Sequence, residues 1–136
     1  MKIIVDAMGG DNAPDAIVQG AVMASEELDV DIILTGRVED VLRSLDKMGY
    51  KELPPRIEIA NAQSVIEMEE DPVAAIRDKK DSSMVVGLTM LRDGKADAMV
   101  SAGSTGALLT GATLIVRRVR GIRRAALAPV VPISEK

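Results

Sequence analysis

The feature that most constrains this chain is the junction at its start. Lys2-Ile3-Ile4-Val5 is a short apolar run that reads as a buried strand. It passes into Asp6-Ala7-Met8-Gly9-Gly10-Asp11, and Asn12-Ala13-Pro14 then reads as a helix start. Two glycines and two carboxylates therefore sit where a first strand ends and a first helix begins. In open α/β sheets ligands bind at the carboxyl ends of strands. Glycine there lets the backbone approach a ligand that any side chain would block.

The pattern repeats in the order β-α-β-α-β-α-α-β-α-β. The first strand is Lys2–Asp6. A helix capped by Asp11 or Asn12 follows, with Pro14 in its first turn and Ile17, Ala21, Ala24 and Leu28 at helical spacing. Asp31–Thr35 is a second strand. Val38, Val41, Leu42, Leu45 and Met48 mark a helix that Gly49 closes, and Arg56–Ala60 is an alternating third strand. Asn61–Asp71 is an acidic connection. Asp71-Pro72 opens a short helix to Arg77 or Lys79, and Asp81 or Ser82 caps another that carries Met84, Val85, Leu88 and Leu91 and stops at Gly94. Asp97–Val100 is a fourth strand. Ala107–Val116 is a helix apolar nearly all round and so predicted to be buried, and Ala126–Val131 is a last strand. This alternation predicts a three-layer α/β/α domain with a mainly parallel sheet. A parallel strand ordinarily leads into a covering crossover. The last strand ends at Pro132 and Ser134-Glu135-Lys136 follows with no further helix, so residues 1–136 read as one domain, the N-terminal part of a longer protein.

Composition excludes several chemistries. The 136 residues contain no Cys and no His, which removes thiol nucleophiles, disulfides, imidazole bases and the common zinc sites. Tyr50 is the only aromatic residue, so base stacking on nucleic acid is hardly available. The sequence opens with no signal-peptide pattern and holds no apolar run of membrane-spanning length, so the expected location is cytoplasmic. Residues 1–72 carry 16 acidic and 6 basic side chains, net −10; residues 73–136 carry 5 and 11, net +6. Either the basic half faces an anionic partner, or the halves attract each other and basic residues complement helix C-termini; the second reading is favoured for most of these charges.

A second small-residue turn, Ser101-Ala102-Gly103-Ser104-Thr105-Gly106, sits at another strand-to-helix junction. Successive backbone N–H groups at such a place bind anions, and Ser101, Ser104 and Thr105 add hydroxyl donors. A tight turn with Ser or Thr as helix cap accounts for the same residues equally well. The turn lacks the Gly-Lys-Ser/Thr ending of a P-loop, and neither glycine set spells the dinucleotide fingerprint. A Ser101 or Ser104 nucleophile would need a base, for which Lys80 is a weak candidate. Arg77, Lys79 and Lys80 before Ser82-Ser83 suit a phosphate or acidic contact, although a solvated helix end is favoured. Arg117, Arg118, Arg120, Arg123 and Arg124 form a denser cluster that suits a helix end, the acidic half or an acidic protein. Asp6 and Asp11 are ligand-orienting groups, general bases or ordinary capping residues. Glu67, Glu69, Glu70 and Asp71 read as a solvated face or as helix-start charge.

In combination the segments resemble the PlsX family, the phosphate acyltransferases of bacterial phospholipid synthesis. The resemblance rests on V-D-A-M-G-G-D at Val5–Asp11, A-Q-S-V-I at Ala62–Ile66, K-D-S-S-M at Lys80–Met84, G-K-A-D-A at Gly94–Ala98, S-A-G-S-T-G-A at Ser101–Ala107 and A-L-A-P at Ala126–Pro129. It implies transfer of an acyl group from acyl carrier protein to inorganic phosphate, giving acyl phosphate, on the isocitrate/isopropylmalate dehydrogenase-like fold that phosphotransacetylases share. Phosphate is then the nucleophile. The protein must hold an anion beside a thioester and stabilise an oxyanion, and no cofactor or metal is called for. The resemblance implies Gly9, Gly10, Lys80, Ser101, Gly103, Ser104, Thr105 and Gly106 as phosphate and substrate contacts. Asp6 and Asp11 would be the catalytic carboxylates, and the arginines from Arg117 to Arg124 would meet the acidic carrier protein. It further implies a homodimer, with peripheral membrane association conceivable and nucleic acid excluded. The family has Asn where this chain has Ser104, and its members are more than twice as long. The alternatives are a phosphotransacetylase that takes acyl-coenzyme A, and a non-catalytic module that binds acyl groups or carrier protein.

Overall fold

The computed structural model describes residues 1–130. Four parallel strands form one sheet in the order β3-β2-β1-β4: β1 Lys2–Asp6, β2 Asp31–Gly36, β3 Ile57–Asn61 and β4 Ala98–Val100. Val5 lies opposite Leu34 of β2 on one side and Val100 of β4 on the other, so β1 is central. Ile32-Ile33-Leu34 is buried without interruption, as a parallel strand covered on both faces requires.

Five helices cover the sheet: α1 Asp15–Leu28, α2 Val38–Lys47, α3 Pro72–Asp78, α4 Ser83–Arg92 and α5 Thr105–Gly111, which runs on into a π-helical turn at Ala112–Val116. On one face, Val18, Ala21 and Val22 of α1 and Val41 and Leu45 of α2 pack with Ile32 and Leu34. On the other, α4 lies directly against β1 and β4. It does so at Gly87, where a Cβ would stand 2.8 Å from Met99 Cε and 3.0 Å from Ile4 Cγ2. Outside α4, α3 and α5 form a second tier. Ala75, Ile76 and Ala107 share a core with Met84, Val85 and Leu88, and Gly111 abuts both Leu88 and Ile76.

Most predicted elements fall where the sequence places them. Asp71 caps α3 by accepting the Ala74 N–H at 2.8 Å, and Ser82 caps α4 by accepting the Val85 N–H at 3.3 Å. Gly49 and Gly94 follow their helices in the left-handed region, at φ 93° and 71°. Three expectations need correction. Neither Asp11 nor Asn12 caps α1 with its side chain; Asp11–Pro14 make an extra turn, and backbone carbonyls of Asn12 and Pro14 take the Ala16 and Val18 N–H groups. Ala107–Val116 is not buried all round. It lies in the outer tier with one face inward, so Ala107 and Gly111 are buried while Leu114 is 60 % exposed. Ala126–Val130 form no strand: the chain leaves through Arg117 (φ 76°) and Gly121 (φ 94°) and does not pair with β4, leaving Leu127 and Val130 exposed. Val131 lies outside the described residues.

The acidic connection is more ordered than a solvated face. Glu70 accepts the Glu67 N–H at 2.8 Å and pairs with Lys79, which also donates to the Val65 carbonyl at 2.7 Å. That N–H first, and Lys79 second, hold the Glu70 carboxyl below its ordinary value.

Leu88 is the pivot between α4 and the outer tier and is 2 % exposed. Leu88→Ala is expected to cost about 2–5 kcal/mol in urea unfolding, and a loss well under that range would mean the two tiers pack loosely. Asp15 ties α1 to α2 through Lys47 at 2.6 Å and Ser44 at 2.5 Å. Lys47, then Ser44, hold its carboxyl below the usual value. A folded value below the unfolded one gives a link at full strength above the ordinary carboxylate range, lost as pH falls through the lowered value. The stability difference between the protein and Asp15→Asn should therefore hold steady down to about pH 5 and shrink below it.

Candidate functional site

The strand order makes a topological switch point between β1 and β4. The chain leaves β1 toward α1 on one face and leaves β4 toward α5 on the other, so a crevice opens beyond the carboxyl ends of these two neighbours. Both glycine-rich turns lie there, although 95 residues separate Asp6 from Ser101.

Asp6 is 1 % exposed, and both carboxylate oxygens are engaged. Oδ1 accepts the Met8 N–H at 3.2 Å and Oδ2 accepts the Ser101 hydroxyl at 2.8 Å. The same Ser101 oxygen accepts the Gly103 N–H at 3.1 Å. One buried carboxylate thus fixes its own turn and, through a serine, the turn of the neighbouring strand. The backbones meet at a distance that only glycine allows. A Cβ on Gly9 would stand 2.8 Å from both Asp6 Oδ2 and Gly103 N, and one on Gly103 would stand 3.3 Å from Gly9 Cα. Gly10, at φ 109°, rests against Ala102. Met84 of α4 closes the inner side.

The remaining predicted residues divide between a buried frame and an open rim. Ser104 is 5 % exposed and accepts the Ala107 N–H at 3.3 Å, so it caps α5. Thr105, Gly106 and Asp11 are exposed at the lip of the crevice. Among the described residues the N–H groups of Thr105 and Gly106 find no acceptor, and the Thr105 hydroxyl makes no hydrogen bond. Two unpaired N–H groups and a hydroxyl at a helix start form a surface that an anion can satisfy.

No hydrogen bond joins Lys80 to this turn among the described residues. Lys80 is exposed and lines a different groove, beside α3 and the π-helical turn, to which no residue of either glycine-rich turn contributes. Arg117 lines that groove too, which Arg118, Arg120, Arg123 and Arg124 do not. All five arginines are exposed, and none forms an ion pair among the described residues, so they do not meet the acidic half. The Asp6–Ser101 bond is the feature that sequence reasoning missed. Each residue had been marked, but only the adjacency of β1 and β4 makes them partners.

The fold is a parallel α/β/α sheet with small-residue turns facing each other across its switch point. A solved phosphotransacetylase from Streptococcus pyogenes matches 91 % of this chain with a TM-score of 0.63 at 24 % identity, over 40 % of its own length. The chain belongs to the fatty acid synthesis protein family, which it matches over residues 1–136. Among curated relatives, a phosphate acyltransferase of Clostridium kluyveri is 52 % identical over 132 residues, 97 % of this chain and 39 % of the relative. A phosphate acyltransferase of Alkaliphilus oremlandii is 50 % identical over 135 residues, 99 % of this chain and 40 % of the relative. The chain thus spans about two fifths of the length of these relatives.

If Asp6 and Ser101 act as one clasp, their removals are not independent. In a double-mutant cycle of Asp6→Asn and Ser101→Ala, unfolding free energies should depart from additivity by about 0.5–3 kcal/mol. Additive effects would show that the two turns are held together by packing alone.

Proposed function

We propose that this chain supplies the phosphate-binding wall of an acyltransferase that moves a fatty acyl group from acyl carrier protein to inorganic phosphate, forming acyl phosphate. The observation that carries the reading is the lip of the crevice. In a chain whose curated relatives are named phosphate acyltransferases, Thr105 and Gly106 at the carboxyl end of β4 carry N–H groups and a hydroxyl that find no partner among the described residues, where α/β sheets bind ligands.

In this reading phosphate sits at the start of α5. The Thr105 and Gly106 N–H groups and the Thr105 hydroxyl donate to its oxygens, and Gly10 leaves room beside it. A phosphate oxygen attacks the thioester carbonyl carbon, and the carbonyl π pair moves onto oxygen. That oxyanion then re-forms the carbonyl and expels the carrier's thiolate, which takes up a proton. Positioning and donors aimed at developing charge account for the acceleration. Asp6, being buried and doubly bonded, serves as a positioning residue, with Ser101, Gly9 and Gly103 as its frame. Asp11, exposed beside Gly10, suits proton exchange with substrate. Ser104 orders the helix start from within. Arg118, Arg120, Arg123 and Arg124 suit contact with an acidic carrier protein. A cytoplasmic homodimer completes the proposal, with any membrane association peripheral: no helix among the described residues is long and apolar enough to cross a membrane.

A second reading, transfer from acyl-coenzyme A, is favoured by the likeness of fold to a phosphotransacetylase. The longest natural form of the protein, incubated with phosphate and either thioester and trapped with hydroxylamine, separates the two. Phosphate-dependent hydroxamate formed chiefly from the carrier thioester is expected. Preference for the coenzyme A thioester selects the second reading, and carrier binding without turnover of either donor rejects both in favour of a binding module. Thr105→Val removes a donor to a charged ligand, so KM for phosphate should rise roughly 10- to 100-fold with the fold intact.

A further inference from the structure

We propose that Lys79 is a positioning residue for the donors at Thr105 and Gly106, acting through residues 65–72 and the contact of Pro72 with Gly106. The proposal rests on the phosphate-binding reading of that lip. Lys79 stands just after α3 and reaches back over the segment that enters the helix. Its ammonium donates to the Val65 carbonyl at 2.7 Å and pairs with Glu70, and Glu70 accepts the Glu67 N–H at 2.8 Å. One cation thus ties together two points of the entering segment. The two charged side chains are 33 % and 29 % exposed, so water competes for them less than for a fully exposed pair. Ile66, at 6 % exposure, anchors the same segment in the core that α3, α4 and α5 share.

The tied segment ends on the start of α5. Asp71 caps α3 and Pro72 is its first residue, with a ring that holds φ fixed. That ring lies against Gly106. A Cβ added to Gly106 would stand 3.0 Å from Pro72 Cγ but 3.7 Å from Pro72 Cβ. The first distance is tighter than an ordinary carbon contact, and the second is ordinary. Gly106 has no positive φ, so its backbone does not call for glycine, and glycine in a helix is unfavourable relative to alanine. The proline ring is what excludes a side chain there. Thr105 and Gly106 are the first two residues of α5, so a shift of Pro72 displaces both donors together. Lys79 therefore acts on the lip without touching a ligand: it fixes the segment, the segment fixes Pro72, and Pro72 fixes Gly106.

The test uses the longest natural form of the protein, read by amide exchange without substrates and by the phosphate-dependent hydroxamate assay. The Ala107 and Leu108 N–H groups bond to Ser104 at 3.3 and 2.9 Å. In Lys79→Met they should exchange about ten-fold faster, while β1 and β2 keep the parent rates. KM for phosphate should rise about ten-fold, with KM for the thioester held within about two-fold. Lys79→Arg keeps donors for both the carbonyl and the carboxylate, and should bring both readings back to within about three-fold of the parent. Gly106→Ala should raise the same two readings about ten-fold and Pro72→Ala about three-fold, yet the double variant should match Pro72→Ala alone. Should Lys79→Met speed β1 and β2 as well, Glu70→Gln, which keeps an oxygen for the Glu67 N–H, is read in its place by the same criteria. Parent-like exchange at Ala107 and Leu108 overturns the proposal. So does faster exchange with an unchanged KM for phosphate in an active protein, and so do multiplying effects of Gly106→Ala and Pro72→Ala. Absence of turnover in the parent rejects the acyl-transfer reading instead, and the exchange rates then decide the proposal alone.

Discussion

A carboxylate sealed inside a protein must be bonded on both oxygens or it unravels its surroundings, and Asp6 meets that demand by joining two places far apart in sequence. Its bonds to the Met8 N–H and the Ser101 hydroxyl, relayed to the Gly103 N–H, fix the loops beyond β1 and β4 against each other. The rest of the crevice follows. Gly9 and Gly103 can touch because neither carries a side chain, and Ser104, next after Gly103, caps α5. The start of α5 in turn decides which N–H groups face outward.

Much of the fold is legible in the sequence because local signals there agree with the global arrangement. Strands β1 and β2 are continuous apolar runs, Asp71 and Ser82 are cap residues directly before helical patterns, and Gly49 and Gly94 stand where left-handed backbone ends a helix. What could not be read depends on which elements become neighbours. Ala107–Val116 is apolar on every side, yet α5 reaches only an outer tier, so its composition overstates its burial. Ala126–Val130 has strand composition, but strand formation needs an edge to bond with, and the chain does not meet that of β4.

The site shows the same division. Both small-residue turns were recognisable as strand ends, and parallel topology brings them together. Their surroundings were not recognisable. The burial of Asp6, the bond from the Ala107 N–H to Ser104, and the groove that Lys80 lines beyond the end of α3 all depend on tertiary packing. Residue type proposes a chemistry, and accessibility decides whether a substrate can meet it.

The brevity of β4 has a consequence of its own. A sheet edge is a template on which other chains can add, and this one carries Val100 with more than half its surface in water. β4 is three residues long and pairs in register with Ile3–Val5 of β1. Among the described residues β4 stands at the margin of the sheet, so the crevice between β1 and β4 lies beside that margin.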